Sequence, residues 1–273
     1  MRDWLKLEGA ALKHCKRNAA IAAVLLLMAL GWRGAAQDAR LPFTSGEKLH
    51  YAVKWRGVPA GEAEILLGRV ESPRPRWKAV AKANSLGYVS NLYKVEDEYQ
   101  STFRAPALCS NEIRKTINEG DRHRLVTLTF DPRRRLALYS DREAAGNAPP
   151  RQAQSAIPDC VQDILSSLYF VRARPLLVGQ SFDVPVNDGE RTIQVRFEVQ
   201  AKEQIKTPIG TFQATRVEPV LFSGNLFKSK GRMFVWFSDD AARLPVQLSA
   251  QIGIGVGTIT ASLTEVEKSE GNP

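Results

Sequence analysis

Apolar and polar residues alternate one for one along most of this chain, and that period confines it to β-structure. In Glu47–Arg56, Leu49, Tyr51, Val53 and Trp55 point one way, and Lys48, His50, Lys54 and Arg56 the other. This is the pattern of a strand with one face buried and one in water. Thr192–Gln200 repeats it, with Ile193, Val195, Phe197 and Val199 set against Thr192, Gln194, Arg196, Glu198 and Gln200. The same reading predicts strands over Glu62–Val70, Trp77–Ser85, Val95–Phe103, Glu112–Asn118, Leu125–Phe130, Leu136–Tyr139, Phe212–Glu218, Arg232–Phe237, Val246–Ala250 and Thr258–Val266. Turn signals punctuate them, among them Gly57-Val58-Pro59, Asn118-Glu119-Gly120-Asp121, Asp131-Pro132, Asn187-Asp188-Gly189 and Pro208-Ile209-Gly210. About a dozen short strands so spaced predict a mainly β fold, a curved antiparallel sheet or (half-)barrel, and exclude a βαβ protein.

Six segments depart from the pattern. From Asp159 to Arg172, the residues Val161, Ile164, Leu165, Leu168 and Tyr169 fall at helical spacing. Pro158 precedes them, Asp159 with Gln162 resembles a capping box, Arg172 and Arg174 suit the negative end of the helix dipole, and Pro175 ends the run. One apolar-faced helix among many strands packs on, or plugs, the sheet. In Met233–Phe237, Met233, Val235 and Phe237 face one side and Phe234 and Trp236 the other. Such a strand is covered on both sides or lines a cavity. Gly253, Gly255 and Gly257 leave one face of their segment without side chains, for sheet closure or for a ligand. Leu221–Phe227 is an apolar loop, as is Leu86–Tyr93 with Tyr88 and Tyr93. The stretch from Asp141 to Ile157, rich in Ala, Pro, Gln and Arg, reads as a loop and not a boundary. Residues 41-268 are therefore expected to form a single β-rich domain.

The first 36 residues have a different character. Lys13, Lys16 and Arg17 precede a charge-free run from Ala19 to Leu30, and Gly34-Ala35-Ala36 follow it. The run is shorter than the roughly 20 residues that span a bilayer. It has the form of a secretory signal peptide over 1-36, cleaved between Ala36 and Gln37. A buried core helix and an uncleaved anchor are the alternatives. Cys15 lies before the run, which argues against a lipoprotein signal. Export places the domain in the periplasm or outer cell envelope. Removing the leader's six basic and two acidic residues from totals of 38 and 29 leaves a net charge of +5, mildly basic and weak support for a nucleic-acid partner. Cys109 and Cys160 remain, and an even pair in an exported chain points to a disulfide; two separate buried thiols are the alternative.

No catalytic motif stands out. The chain has no G-x-S-x-G elbow, no H-E-x-x-H zinc helix, no phosphate loop and no C-x-x-C, so no catalytic residue, metal or cofactor is assigned. His50 and His123 lie among charged residues. Glu96-Asp97-Glu98 reads as a solvated face, an acid/base pair or a metal site, and Asp239-Asp240, just before Arg243, as a turn with a local ion pair or a ligand contact. Arg133-Arg134-Arg135 forms either a soluble hairpin tip or an anion site.

Four stretches follow one another along the chain: Phe43 with Gly46-Glu47-Lys48-Leu49, Tyr51, Trp55 and Gly57-Val58-Pro59-Ala60-Gly61-Glu62-Ala63; Asp163 with Ser166-Ser167-Leu168-Tyr169 and Arg172; Thr207-Pro208-Ile209-Gly210-Thr211-Phe212; and Val235-Trp236-Phe237-Ser238-Asp239-Asp240 with Arg243-Leu244-Pro245-Val246. In this order they resemble a family of exported bacterial proteins, domain of unknown function (DUF) 3108. The resemblance implies an envelope protein and assigns no catalytic residues. By analogy, its architecture is similar to the curved antiparallel sheets of periplasmic lipoprotein-carrier-like proteins. The expectation is a non-enzymatic binding or carrier module for an amphipathic ligand, a lipid or lipid-linked glycan. Trp55, Phe222, Phe227 and Trp236 are the candidate walls, and Arg133, Arg134 and Arg135 the candidate head-group contacts. A structural or assembly factor that binds other envelope proteins is the alternative, followed by a glycan-acting enzyme using carboxylates such as Asp239 or Glu96. Charged residues on the outer strand faces argue against an integral membrane barrel.

Overall fold

The computed structural model describes residues 41–71, 75–221, 231–252 and 257–268. The expected signal segment with its cleavage site, the wall candidates Phe222 and Phe227, and Gly253 and Gly255 lie outside them.

Alternation becomes one antiparallel sheet of 14 strands. In chain order these are β1 (Glu47–Trp55), β2 (Val58–Val70), β3 (Arg76–Ser85), β4 (Glu96–Arg104), β5 (Cys109–Glu119), β6 (Arg122–Asp131), β7 (Leu136–Glu143), β8 (Arg151–Ala156), β9 (Ser181–Asn187), β10 (Thr192–Thr207), β11 (Gly210–Leu221), β12 (Arg232–Ser238), β13 (Pro245–Ile252) and β14 (Gly257–Glu267). Among the described residues two helices interrupt them, α1 (Gly87–Leu92) and α2 (Ile164–Arg172). The spatial order is β8-β7-β6-β5-β4-β3-β2-β1-β14-β13-β12-β11-β10-β9. Every neighbouring pair is a sequential hairpin except β1 and β14, which meet in the middle of the sheet. The two edges, β8 and β9, are therefore consecutive in the chain and flank α2.

Side chains draw these edges together. Asn187 Nδ2 donates to Ser155 Oγ at 2.9 Å, and Thr192 Oγ1 donates to the Ala156 carbonyl at 2.7 Å. Arg151 pairs with Glu190 at 2.6 Å. Gly189 has φ +124 and stands so close to the Tyr139 ring that a Cβ would fall 2.6 Å from Cδ2. The connector before α2 fills the gap as a short parallel rung. Gln162 N–H donates to the Pro185 carbonyl, and Asn187 N–H donates to the Gln162 carbonyl, both at 2.9 Å. On its other side, Ser110 N–H donates to the Val161 carbonyl at 2.9 Å. Cys109 and Cys160 form the expected disulfide beside that bond, with a Cα separation of 5.1 Å.

Two expectations are corrected here. The stretch from Asp141 to Ile157 is not a loop throughout: β7 runs to Glu143, and Arg151–Ala156 forms β8. As an edge strand β8 needs no apolar face, so it carries no alternation. β9 was hidden by Pro185, which an edge strand tolerates because its missing N–H faces no partner strand. The helix begins at Ile164, not Asp159. Residues 160–162 are held by the disulfide and the parallel rung, and the capping box is formed by Asp163 and Ser166. Asp159 pairs with Arg135 at the surface, at 2.7 Å.

Candidate ligand cavity

The two sides of α2 set the interior. Tyr169 packs between Phe43, edge-on at 5.1 Å, and Phe103, stacked at 5.5 Å. One turn on, Arg172 is completely buried. Its Nη1 and Nη2 donate to the Glu47 carboxylate at 2.5 and 2.8 Å, while Nη2 and Nε also donate to the Pro42 and Ala242 carbonyls at 3.1 and 3.0 Å. Burying a cation stabilises a fold only with such full compensation. Phe43, Glu47, Tyr169 and Arg172 all carry the family resemblance, and here they form one packed plug.

The opposite side of α2, with Ile164, Leu168 and Val171, looks onto a cavity of about 310 Å³. Its walls come from both halves of the sheet: Ile65 of β2, Ile113 of β5, Val195 and Phe197 of β10, Val217 of β11, and Leu248 of β13. β12 adds Met233, Val235 and Phe237, the face for which the sequence left a cavity open. A second space of about 260 Å³ shares Ile65 and Leu248 with the first. It exists because inward positions there carry alanine: Ala63 stands opposite Tyr51, and Ala81 opposite Ile65 and Tyr99. Small side chains on neighbouring strands leave a hollow that leucine or phenylalanine would fill.

The polar lining is sparse. Asp163 caps α2, its Oδ1 accepting from Leu165 N–H at 2.8 Å and Ser166 N–H at 3.0 Å. Its Oδ2 accepts from the hydroxyls of Ser101, at 2.6 Å, and Ser110. Asp188 Oδ1 accepts from Glu190 and Arg191 N–H, each at 3.2 Å. Lys115 is different. It is in phase with Ile113 and Ile117 on β5 and opposite Tyr99 and Val126, so it points inward. Its Nζ lies 5.7 Å from the centre of the Tyr99 ring. Burial pushes the Lys115 ammonium below its ordinary pKa, although Asp163, Asp188 and Asp141 pull it up. Burial also holds the Tyr99 hydroxyl up at about 12.

Of the wall and head-group candidates read from the sequence, those among the described residues do not gather here. Trp236 is buried, but on the opposite face of β12 from Met233, Val235 and Phe237; its indole N–H donates to Glu203 at 2.7 Å. Trp55 ends β1, with the Arg56 guanidinium 5.8 Å from its ring, and does not line the cavity. Arg133, Arg134 and Arg135 form the β6–β7 turn, where Asp131 Oδ1 accepts from Arg133 and Arg134 N–H. Among the acidic candidates, Asp97 accepts from Asn118 N–H at 2.9 Å and lines the smaller space, its carboxyl raised by burial. Glu96 pairs with Lys94, and Asp239 with Lys202. Asp240 holds its turn through Ala242 and Arg243 N–H, so the expected local partner Arg243 is reached through its backbone. His123 hydrogen-bonds Asn118. Among the described residues one grouping has metal-ligand spacing: His50, Glu265 and Glu267. In it His50 Nε2 hydrogen-bonds Glu267 at 2.6 Å, and Lys48 pairs with the same carboxylate at 3.8 Å.

The sequence reading missed Lys115. The signal was present in Ile113-Arg114-Lys115-Thr116-Ile117, where the lysine falls in step with the isoleucines and not with Arg114 and Thr116.

A long antiparallel sheet drawn together at its edges around a helix, with hollow space inside, defines a barrel-like β protein. The chain belongs to the family described as "Protein of unknown function (DUF3108)", whose family model matches residues 50–264. Among solved structures it is similar to a beta-barrel-like protein of the domain of unknown function DUF1849 from Brucella abortus, with a TM-score of 0.51 and 7% identity over 82% of this chain and 98% of that one. It also aligns with a putative exported protein with YmcC-like fold from Bacteroides fragilis, with a TM-score of 0.37 and 12% identity over 84% and 98% of the two chains. The first likeness supports the fold. No curated protein matches the chain.

Proposed function

We propose that this domain is a non-enzymatic binding or carrier module of the bacterial cell envelope that takes the apolar part of one amphipathic molecule, a lipid or lipid-linked glycan, into its interior. The observation that carries this reading is the apolar cavity of about 310 Å³, continued past Ile65 and Leu248 by a second space. That size stands at the lower end of the roughly 300–1,000 Å³ of ligand sites, which suits a chain-like apolar group. The Cys109–Cys160 bond supports work in an oxidising compartment, and the basic, short apolar leader supports export by a cleaved signal. The test is to purify the chain from its envelope without detergent and analyse the organic extract by mass spectrometry. A specific lipid or glycolipid at near-stoichiometric amount is expected. An empty extract, together with no binding of added amphiphiles, overturns the reading.

A second reading, an assembly factor for other envelope proteins, rests on a different observation. Around α1, Leu86, Tyr88, Leu92 and Tyr93 are exposed together, Tyr88 at 74%, and clustered exposed aromatic and aliphatic side chains mark interaction surfaces. Crosslinking from Tyr88 in the envelope decides it: capture of one protein at stoichiometric yield favours assembly, and lipid-only adducts favour the carrier.

A further inference from the structure

We infer that Lys115 anchors an anionic head group inside the barrel, so that the ligand is an acidic amphiphile, carboxylate- or phosphate-headed. This deepens the carrier reading and rests on it.

Three observations carry the inference. First, Lys115 lines the larger cavity, and its ammonium lies 5.7 Å from the ring of Tyr99, which lines the smaller. Second, the other charged groups on that wall are already engaged. All four acceptor positions of Asp163 are taken by two backbone N–H groups and two serine hydroxyls. Asp188 is turned to the backbone N–H groups of its own hairpin, and Asp141 to Arg124 and the Tyr139 hydroxyl. Among the described residues no carboxylate forms an ion pair with Lys115. Third, three nearby carboxylates offset the desolvation of this half-buried ammonium only in part, for it is held below its ordinary pKa. A buried charge without a counter-ion is expensive, and a ligand that brings the opposite charge recovers that cost on binding. A lysine on a strand between two isoleucines has no packing advantage over a third apolar residue, and its compact ammonium accepts either a carboxylate or a phosphate as a point charge.

The test measures binding of three 12-carbon probes to the detergent-free protein by calorimetry: dodecanoate, dodecyl phosphate and uncharged dodecanol. The native chain should bind the better of the two anions at least about tenfold more tightly than dodecanol, the effect of one charge-assisted contact. Lys115→Met and Lys115→Gln should erase that preference while leaving dodecanol affinity within about twofold, and circular dichroism establishes that both variants fold. Tighter binding of dodecyl phosphate assigns a phosphate head, and tighter binding of dodecanoate a carboxylate. Equal binding of all three probes by the native chain, or a preference that survives in both variants, overturns the role of Lys115 and leaves the carrier reading standing. Failure of the native chain to bind any of the three overturns the carrier reading itself.

Discussion

Arg172 and Lys115 are both cations turned into the same barrel, and their surroundings are opposite. Arg172 has a carboxylate, two backbone carbonyls and the Phe43 ring, 5.5 Å from its guanidinium, as partners. Lys115 has a tyrosine ring and open space. The first joins elements distant in the sequence, β1 to the end of α2, and is consumed by the fold. The second joins nothing. A buried charge with every partner supplied by the chain specifies structure, whereas a half-buried one without an ion-pair partner beside a cavity specifies what the cavity admits.

The contrast can be broken experimentally. The largest effect belongs to Arg172. Arg172→Met strands Glu47 in the core, and removing one partner of a buried pair costs about 3–5 kcal/mol. For a domain of this size that lowers Tm by roughly 6–20 °C, measured by thermal unfolding. A change under about 1 kcal/mol would show that the pair is replaceable packing. Lys115→Met should move the other way, leaving Tm equal or higher at neutral pH because an uncompensated charge is removed. The sign of the pH dependence is fixed. The folded lysine gives up its proton below the ordinary value of 10.5 and the unfolded one near it. Between those values the unfolded chain binds more protons, so native stability rises with pH. Lys115→Met lacks that slope, and urea titrations of both proteins across the alkaline range should converge as pH rises. A large loss of stability in Lys115→Met would make the lysine a structural group and end the comparison. The smallest effect calibrates the scale. Arg135 pairs with Asp159 with both side chains mostly exposed, at 66% and 79%, so Arg135→Gln should shift urea unfolding by no more than about 0.5 kcal/mol.

Most of the fold was legible because period-2 alternation reports burial directly. It located twelve of the strands, and it failed on β8 and β9, the two edges. Arg151–Ala156 has no core face to write into its sequence, and Pro185 disguises β9. The helix was legible but its start was not, since Asp159 and Asp163 both suit a cap and only tertiary contacts around residues 160–162 choose between them. The apolar face of β12 correctly left a cavity open. Among the described wall candidates, Trp55 and Trp236 stand away from the cavity, whose continuation is opened by small side chains at Ala63 and Ala81. Trp236 shows the cost of ignoring phase: one residue from Val235, it stands on the other side of the sheet.

The seam between β1 and β14 has a consequence for how the chain comes together. All other ladders join neighbours in sequence, so the domain consists of two meanders, β1 to β8 and β9 to β14, zipped by a single pairing that reaches across 217 residues at His50 and Glu267. A chain threaded out of a membrane pore amino end first would complete the first meander long before the last strand arrived. Until then β1 has one open edge, and Glu47 already stands on it, awaiting the arginine that α2 delivers part-way through emergence.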